Sequence, residues 1–186
     1  MNNNKILNII TLFLFFILVS PAVNAATLTV DSTDDTTSDN DECTLREAVE
    51  NVNDEAATYD ECGTPGGSDN TITLSSGTFC LSNELEITKD VTIEGAGADS
   101  TILDAGNDST NSDSDCQSDA SGKRVVNISS ASLTVSLSNL TIMGGAITDD
   151  AGAGIYTEED TILSLDGVTV QYNSIESSAY GVSGGG

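Results

Sequence analysis

One short pattern constrains this chain more than any other: an apolar residue, then threonine, then an apolar β-branched residue. It recurs as Val91-Thr92-Ile93, Leu140-Thr141-Ile142 and Val168-Thr169-Val170. The last two copies lie 28 residues apart, and at that offset Val135 matches Leu163, Leu137 matches Leu165, Thr141 matches Thr169 and Ile142 matches Val170. A repeat of this length, made of β-branched runs punctuated by Gly and Asp, is too thin to bury its own apolar face. Neighbouring copies therefore stack strand on strand into an all-β solenoid. The first triplet lies 49 residues before the second, which predicts about two coils and an additional loop between them.

The remaining strand signals fit the same plan. Thr71 to Leu74, Thr78 to Leu81, Leu85 to Ile87, Val91 to Glu94 and Thr101 to Leu103 are short β-prone runs, and coils resume after Arg124 with Val125 to Ile128, Leu133 to Leu137, Leu140 to Ile142, Gly154 to Tyr156, Ile162 to Leu165 and Val168 to Tyr172. Gly95-Ala96-Gly97 lacks the third glycine and the following Lys-Ser or Lys-Thr of phosphate loops, so it reads as a tight corner. Gly144-Gly145, Gly152 and Gly154 mark further corners. Asn139 and Asn173 sit at turns where side-chain amides can stack on adjacent coils. The polar run Asn107 to Gly122 reads as a surface insertion. The sequence stops after Gly184-Gly185-Gly186 where the earlier copy continues, which predicts that this chain is the N-terminal part of a longer protein.

The N-terminus reads as an export signal. Lys5 is its positive region, Ile6 to Val19 its apolar segment, Pro21 a breaker, and Val23-Asn24-Ala25 a small-residue cleavage site, so residues 1–25 form the signal peptide. The apolar stretch is shorter than the roughly 20 residues a membrane span needs, and no later segment qualifies. With 30 acidic against 5 basic residues the net charge is −25, which disfavours nucleic acid and anionic membranes as partners and favours cations. Cys43, Cys62, Cys80 and Cys116 all follow the cleavage point. Of three possible connectivities, Cys43 with Cys62 and Cys80 with Cys116 is favoured because each closes a short loop. Zinc is disfavoured, since the chain has no His and no two cysteines closer than 18 positions.

Residues 26–66 read as an N-terminal capping unit ahead of coils over 67–186. Ala26 to Val30 alternates as a strand and Asp31 to Glu42 is an acidic loop. Thr44 and Glu47 have capping-box spacing, and Leu45, Ala48, Val49 and Val52 recur on one helical face. Arg46 is placed to pair with Glu50 one turn on, and Asn51 to Asp60 returns to loop character. Such a helix suits the open end of a solenoid, where an unpaired edge would template aggregation.

Cys43-Thr44-Leu45-Arg46-Glu47-Ala48-Val49, preceded by Val30-Asp31 and followed by Asn51 and Asn53, resembles the CSLREA motif of exported bacterial proteins, with Thr44 in place of Ser. The run from Ile72 through Val91-Thr92-Ile93-Glu94-Gly95-Ala96-Gly97 is similar to the first coils of that family's pectin-lyase-like fold. The resemblance implies a right-handed, single-stranded parallel β-helix with a short N-terminal capping α-helix, in a surface or secreted protein, and implies no catalytic role for the motif. The structural cap comprises Thr44, Arg46 and Glu47.

Polysaccharide lyases and hydrolases of such folds need a base beside calcium-binding carboxylates, or carboxylates facing each other across a sugar. The candidates are Asp149-Asp150 and Glu158-Glu159-Asp160, with Arg124, Lys89 and Lys123 as the only basic residues among the coils, and solvated loops are the favoured reading of both acidic runs. Asp31, Asp34, Asp35, Asp39 and Asp41, and separately Asp108, Asp113, Asp115 and Asp119, are oxygen-rich enough for calcium but lack EF-hand or glycine-rich nonapeptide spacing. The function expected is an exported structural or adhesive module at the cell surface, the outer membrane included, that meets carbohydrate or matrix components. The alternative is the leading part of a carbohydrate-active enzyme whose catalytic coils lie beyond Gly186.

Overall fold

The computed structural model describes residues 25–106, 116 and 122–176. Most of the export segment and of the Asn107 to Gly122 insertion, with its four aspartates, lies outside the described residues, as does the terminal glycine run. The described chain is all-β with one α-helix. In order it forms β1 (Thr27–Val30), α1 (Leu45–Asp54), a 3-10 turn (Asp60–Cys62), β2 (Asn70–Leu74), β3 (Gly77–Cys80), β4 (Leu85–Ile87), β5 (Val91–Glu94), β6 (Thr101–Asp104), β7 (Val126–Ile128), β8 (Thr134–Ser138), β9 (Thr141–Met143), β10 (Ala146–Thr148), β11 (Ile155–Thr157), β12 (Ile162–Asp166), β13 (Thr169–Val170) and β14 (Ser174–Glu176).

These strands build four sheets, ordered β1-β2-β5-β8-β12, β3-β6-β9-β13, β4-β7-β11 and β10-β14, and every strand pair in them is parallel. Parallel neighbours cannot be joined by a hairpin. Here the chain visits the first, second and third sheets in turn and comes back to the first one strand further along. The inward positions stack in register: Leu28, Ile72, Ile93 and Leu137 form one column through the first sheet, each at most 1% exposed, and Phe79, Leu103 and Ile142 form another through the second. Burying each such side chain contributes about 1.5–3 kcal/mol relative to exposure.

The 28-residue repeat is the register of the last two coils, with Val135 opposite Leu163, Leu137 opposite Leu165, Thr141 opposite Thr169 and Ile142 opposite Val170. The first triplet is a different matter. Val91-Thr92-Ile93 faces Val135-Ser136-Leu137 in the first sheet, whereas Leu140-Thr141-Ile142 lies in the second sheet opposite Ile102 and Leu103. The expected two coils between these triplets are therefore one long coil, lengthened by the chain between β6 and β7. Short apolar-Thr-apolar runs suit any parallel strand, so the pattern alone does not identify the sheet.

The amide ladder expected of Asn139 and Asn173 is absent, because the two residues do not oppose each other. Gly167 stands over Asn139, and Asn173 reaches into the space beside Gly145, accepting from its N–H at 2.8 Å and donating to the carbonyls of Ile142 and Gln171. A Cβ on Gly145 would lie 1.9 Å from the Ala153 carbonyl oxygen, so this position requires glycine for close approach. The Gly95-Ala96-Gly97 corner is the expected turn between β5 and β6, its glycine N–H groups donating to Ser138 and Asn139 of the next coil.

Candidate functional site

The motif at Cys43 to Val49 starts α1. Thr44 caps the helix, accepting from the Glu47 N–H at 3.2 Å, while Glu47 accepts from the Thr44 N–H at 2.9 Å, the reciprocal pairing of a capping box. The helix continues through Asn51 to Asp54, beyond the expected loop boundary. Asn51 is buried and its amide bridges to Tyr59 and Gly63, fastening the following chain back along the helix. Leu45, Ala48, Val49 and Val52 are buried, and α1 packs against β1, β2 and β4.

Arg46 does not pair with Glu50. Its Nε and Nη2 form a fork on Asp35 at 2.8 and 2.9 Å, and its Nη1 and Nη2 also donate to the carbonyls of Glu84 and Asn83 at 3.2 and 2.8 Å. A planar guanidinium satisfies a carboxylate and two carbonyls at once, which a helical i,i+4 contact cannot match. One helical face further along, Asn53 donates to the Glu86 carbonyl at 2.9 Å and accepts from the Thr88 N–H at 2.9 Å. Two side chains of α1 thus meet backbone groups of β4 and of the residues beside it. Asp35 also accepts from the Ser82 N–H at 2.6 Å, extending this cover toward β3.

Two aspartates of the acidic loop make structural contacts. Asp35 belongs to the Arg46 fork, Asp31 accepts from the Cys43 N–H at 2.8 Å, and Asp34, Asp39 and Asp41 point outward and exposed. Among the described residues no group of three or more His, Cys, Asp or Glu side chains is arranged to hold a metal ion. The two expected disulfides are present: Cys43–Cys62 ties the start of α1 to the 3-10 turn, and Cys80–Cys116 ties β3 to the insertion.

A second polar cluster gathers on the outer side of β4, β7 and β11. Arg124 donates to Asp150 at 2.6 Å and to the Ala151 carbonyl at 3.1 Å, approaches Glu84 at 3.7 Å, and places its guanidinium 4.5 Å from the centre of the Tyr156 ring. Asn127 donates to Glu84 at 2.8 Å, Ser129 to Glu86 at 2.7 Å, and Tyr156 to Glu158 at 3.3 Å. The Ala151 N–H, and then Arg124, hold the Asp150 carboxyl below its ordinary range, while the charge of Glu158 pushes the Tyr156 phenol up. The structure so unites Asp150, Glu158 and Arg124, which the sequence places in separate loops. Glu86, Asn127 and Tyr156 carried no sequence signal beyond their outward strand positions, and Glu84, just before β4, carried none.

Lys123 sits apart from this cluster. It is buried, its Nζ donates to the carbonyls of Leu81 and Ser82 at 3.0 and 2.9 Å, and desolvation pushes its ammonium down. Chemically the Arg124 cluster is a row of acceptors and amides with a half-exposed aromatic ring at one end and a cation already committed to four partners. These groups supply donors and acceptors to which a hydroxyl-bearing ligand could bond. Compared with known proteins, the chain matches no protein-family model, no curated protein and no solved structure. No helix among the described residues is long and apolar enough to cross a membrane, and the two disulfides fit an oxidising, extracellular setting.

Proposed function

We propose that this chain is the capped beginning of an exported, right-handed parallel β-helix of the CSLREA type, working as a structural and adhesive module outside the cell. The carrying observation is where the motif spends its polar groups. Thr44 and Glu47 close on each other, Arg46 and Asn53 close on the chain flanking β4, and none of them is left directed at a ligand. A motif used in this way seals an end, as stacked repeats require. The Arg124 and Tyr156 face is the surface offered to carbohydrate or matrix, and the net charge of −25 keeps nucleic acid away.

Expression of the full chain in a bacterial host, followed by fractionation and thiol labelling, tests the export reading. The expected product starts at Ala26, lies outside the cytoplasm and has no free thiol. A chain retained in the cytoplasm with reduced cysteines overturns it. Glycan-array binding that weakens in Tyr156→Ala, with no turnover of the bound glycan, is the expected adhesive result, and cleavage of a polysaccharide would refute the non-enzymatic assignment.

A further inference from the structure

Residues 80–84, which carry the chain from β3 into β4, are bound to the β6–β7 connection, to the loop before α1 and to α1 itself. Cys80 is bridged to Cys116 of the β6–β7 connection. Lys123, seven residues further along that connection, donates from its ammonium to the carbonyls of Leu81 and Ser82 at 3.0 and 2.9 Å. The Ser82 N–H and hydroxyl both donate to Asp35, at 2.6 and 2.5 Å, and the Asn83 and Glu84 carbonyls accept from Arg46. All these ties end on one corner between two strands, and each comes from a side chain distant in sequence.

The two disulfides differ in what can reach them. Cys43 and Cys62 are 1% and 4% exposed, whereas Cys80 lies exposed at the end of β3. Thiol–disulfide exchange begins with attack on an accessible sulfur, so a reductant meets the Cys80–Cys116 bridge first. Beside that bridge the Lys123 contact is close to all-or-none. A buried ammonium is tolerated while acceptors hold it, and burial already pushes this one below its ordinary range. Once the two carbonyls move away, the charge gains more from water than from the interior, so the tie is lost and not stretched.

We propose that the β3–β4 corner is a thiol-sensitive latch: reduction of Cys80–Cys116 releases Leu81 and Ser82 from Lys123 and, through Ser82, Asp35 and Arg46, loosens the start of α1. A dithiol supplies the electrons. Its first thiolate attacks the Cys80 Sγ, the Cys80–Cys116 bond breaks, and Cys116 leaves as a thiolate that takes up a proton. The second thiol of the reductant then attacks the mixed disulfide, releases Cys80 and closes the reductant's own disulfide. The cross-link restricts the conformations available when the corner opens, so its removal favours that opening. Cys43–Cys62 stays closed, and the strands beyond the corner remain folded.

The test uses the full chain, exported and oxidised. Graded dithiothreitol, followed by alkylation and peptide mass spectrometry, is expected to label Cys80 and Cys116 before Cys43 and Cys62. At that half-reduced stage amide exchange is expected to rise about tenfold in residues 81–84 and 44–49 and to stay unchanged in β5 and β8. Arg46→Ala, which cuts α1 from the corner, is expected to keep the rise at 81–84 and to show no further rise at α1. Should that variant fail to fold, the half-reduced wild-type chain decides by itself. Simultaneous labelling of all four cysteines overturns the proposal. So does a first reduction that leaves exchange at 44–49 unaltered, or one that strips protection from β5 and β8 as well.

Discussion

Replacing Arg46 by alanine removes the side chain that joins the Asp35 loop of the cap to the Asn83 and Glu84 carbonyls of the coils. The guanidinium makes two bonds to Asp35 and two to backbone carbonyls, with only 15% of its own side chain and 8% of that of Asp35 exposed. Charged hydrogen bonds contribute about 1.5–3 kcal/mol each when measured singly, and four of them in one fork are not additive. A better guide is the removal of one partner from a buried pair, which costs about 3–5 kcal/mol because the other charge remains. Residual exposure of both groups places the loss at the low end, about 3 kcal/mol. Urea unfolding followed by circular dichroism measures it, and the cycle with Asp35→Ala separates the fork from the carbonyl contacts. Arg46→Lys is expected to recover less than half of the loss, since an ammonium cannot present two parallel donors to Asp35 and reach Asn83 and Glu84 as well. A loss below about 1 kcal/mol, or a lysine variant as stable as wild type, would refute the claim that this residue fastens the cap.

Reduction of the disulfides should destabilise the protein by up to about 3 kcal/mol for Cys43–Cys62 and somewhat more for Cys80–Cys116, whose separations are 19 and 36 residues, as read from melts with and without reductant. Phe79→Ala, at a core position 1% exposed, should cost about 3–5 kcal/mol in urea. Lys123 has a folded-state pKa below its ordinary value, so the unfolded chain binds more protons and stability rises with pH across the interval between the two. That rise should shrink in Lys123→Met when both proteins are melted from neutral to alkaline pH. Amide exchange should be fastest in β12 to β14, where most or all residues are exposed, and slowest in β2 and β5; uniform protection would contradict the stacked order.

Legibility in the sequence followed chain spacing. The 28-residue match was readable because no insertion separates the strands of the last two coils, so equal offsets mean equal places. Earlier coils differ in length, and there the 49-residue spacing of the first two triplets reads as two coils where the structure has one. The capping box was readable because its two residues are three apart and carry their own chemistry. The Arg46 fork was not, because Asp35 lies in a loop 11 residues upstream and the carbonyls of Asn83 and Glu84 have no sequence signature at all. The nearer candidate, Glu50, offered one carboxylate, whereas the fold offered three acceptors together. The Arg124 cluster was hidden for a related reason. Its members come from β4, β7, β11 and the residues beside them, with Asp150 from the loop before β11, and only pairing in register makes them neighbours.

Among the described residues the first and last strands meet different neighbours. On one side β2 has β1, β4 has Arg46 and Asn53, and β3 has the Asp35 loop, so the backbone flanking the first full coil faces peptide or side-chain partners. On the other side β12, β13 and β14 each have one parallel neighbour among the described residues, and Leu165, which continues the buried column of Leu28, Ile72, Ile93 and Leu137, is 47% exposed. In the β-helix proposed for this chain each coil is stabilised by its neighbours, so a cap raises the stability of the coils nearest to it and its influence decays with distance. A cap mutation should then loosen β2 to β4 more than β12. That ordering would tie the motif to the strands that α1 packs against and not to the lateral faces, where binding is proposed.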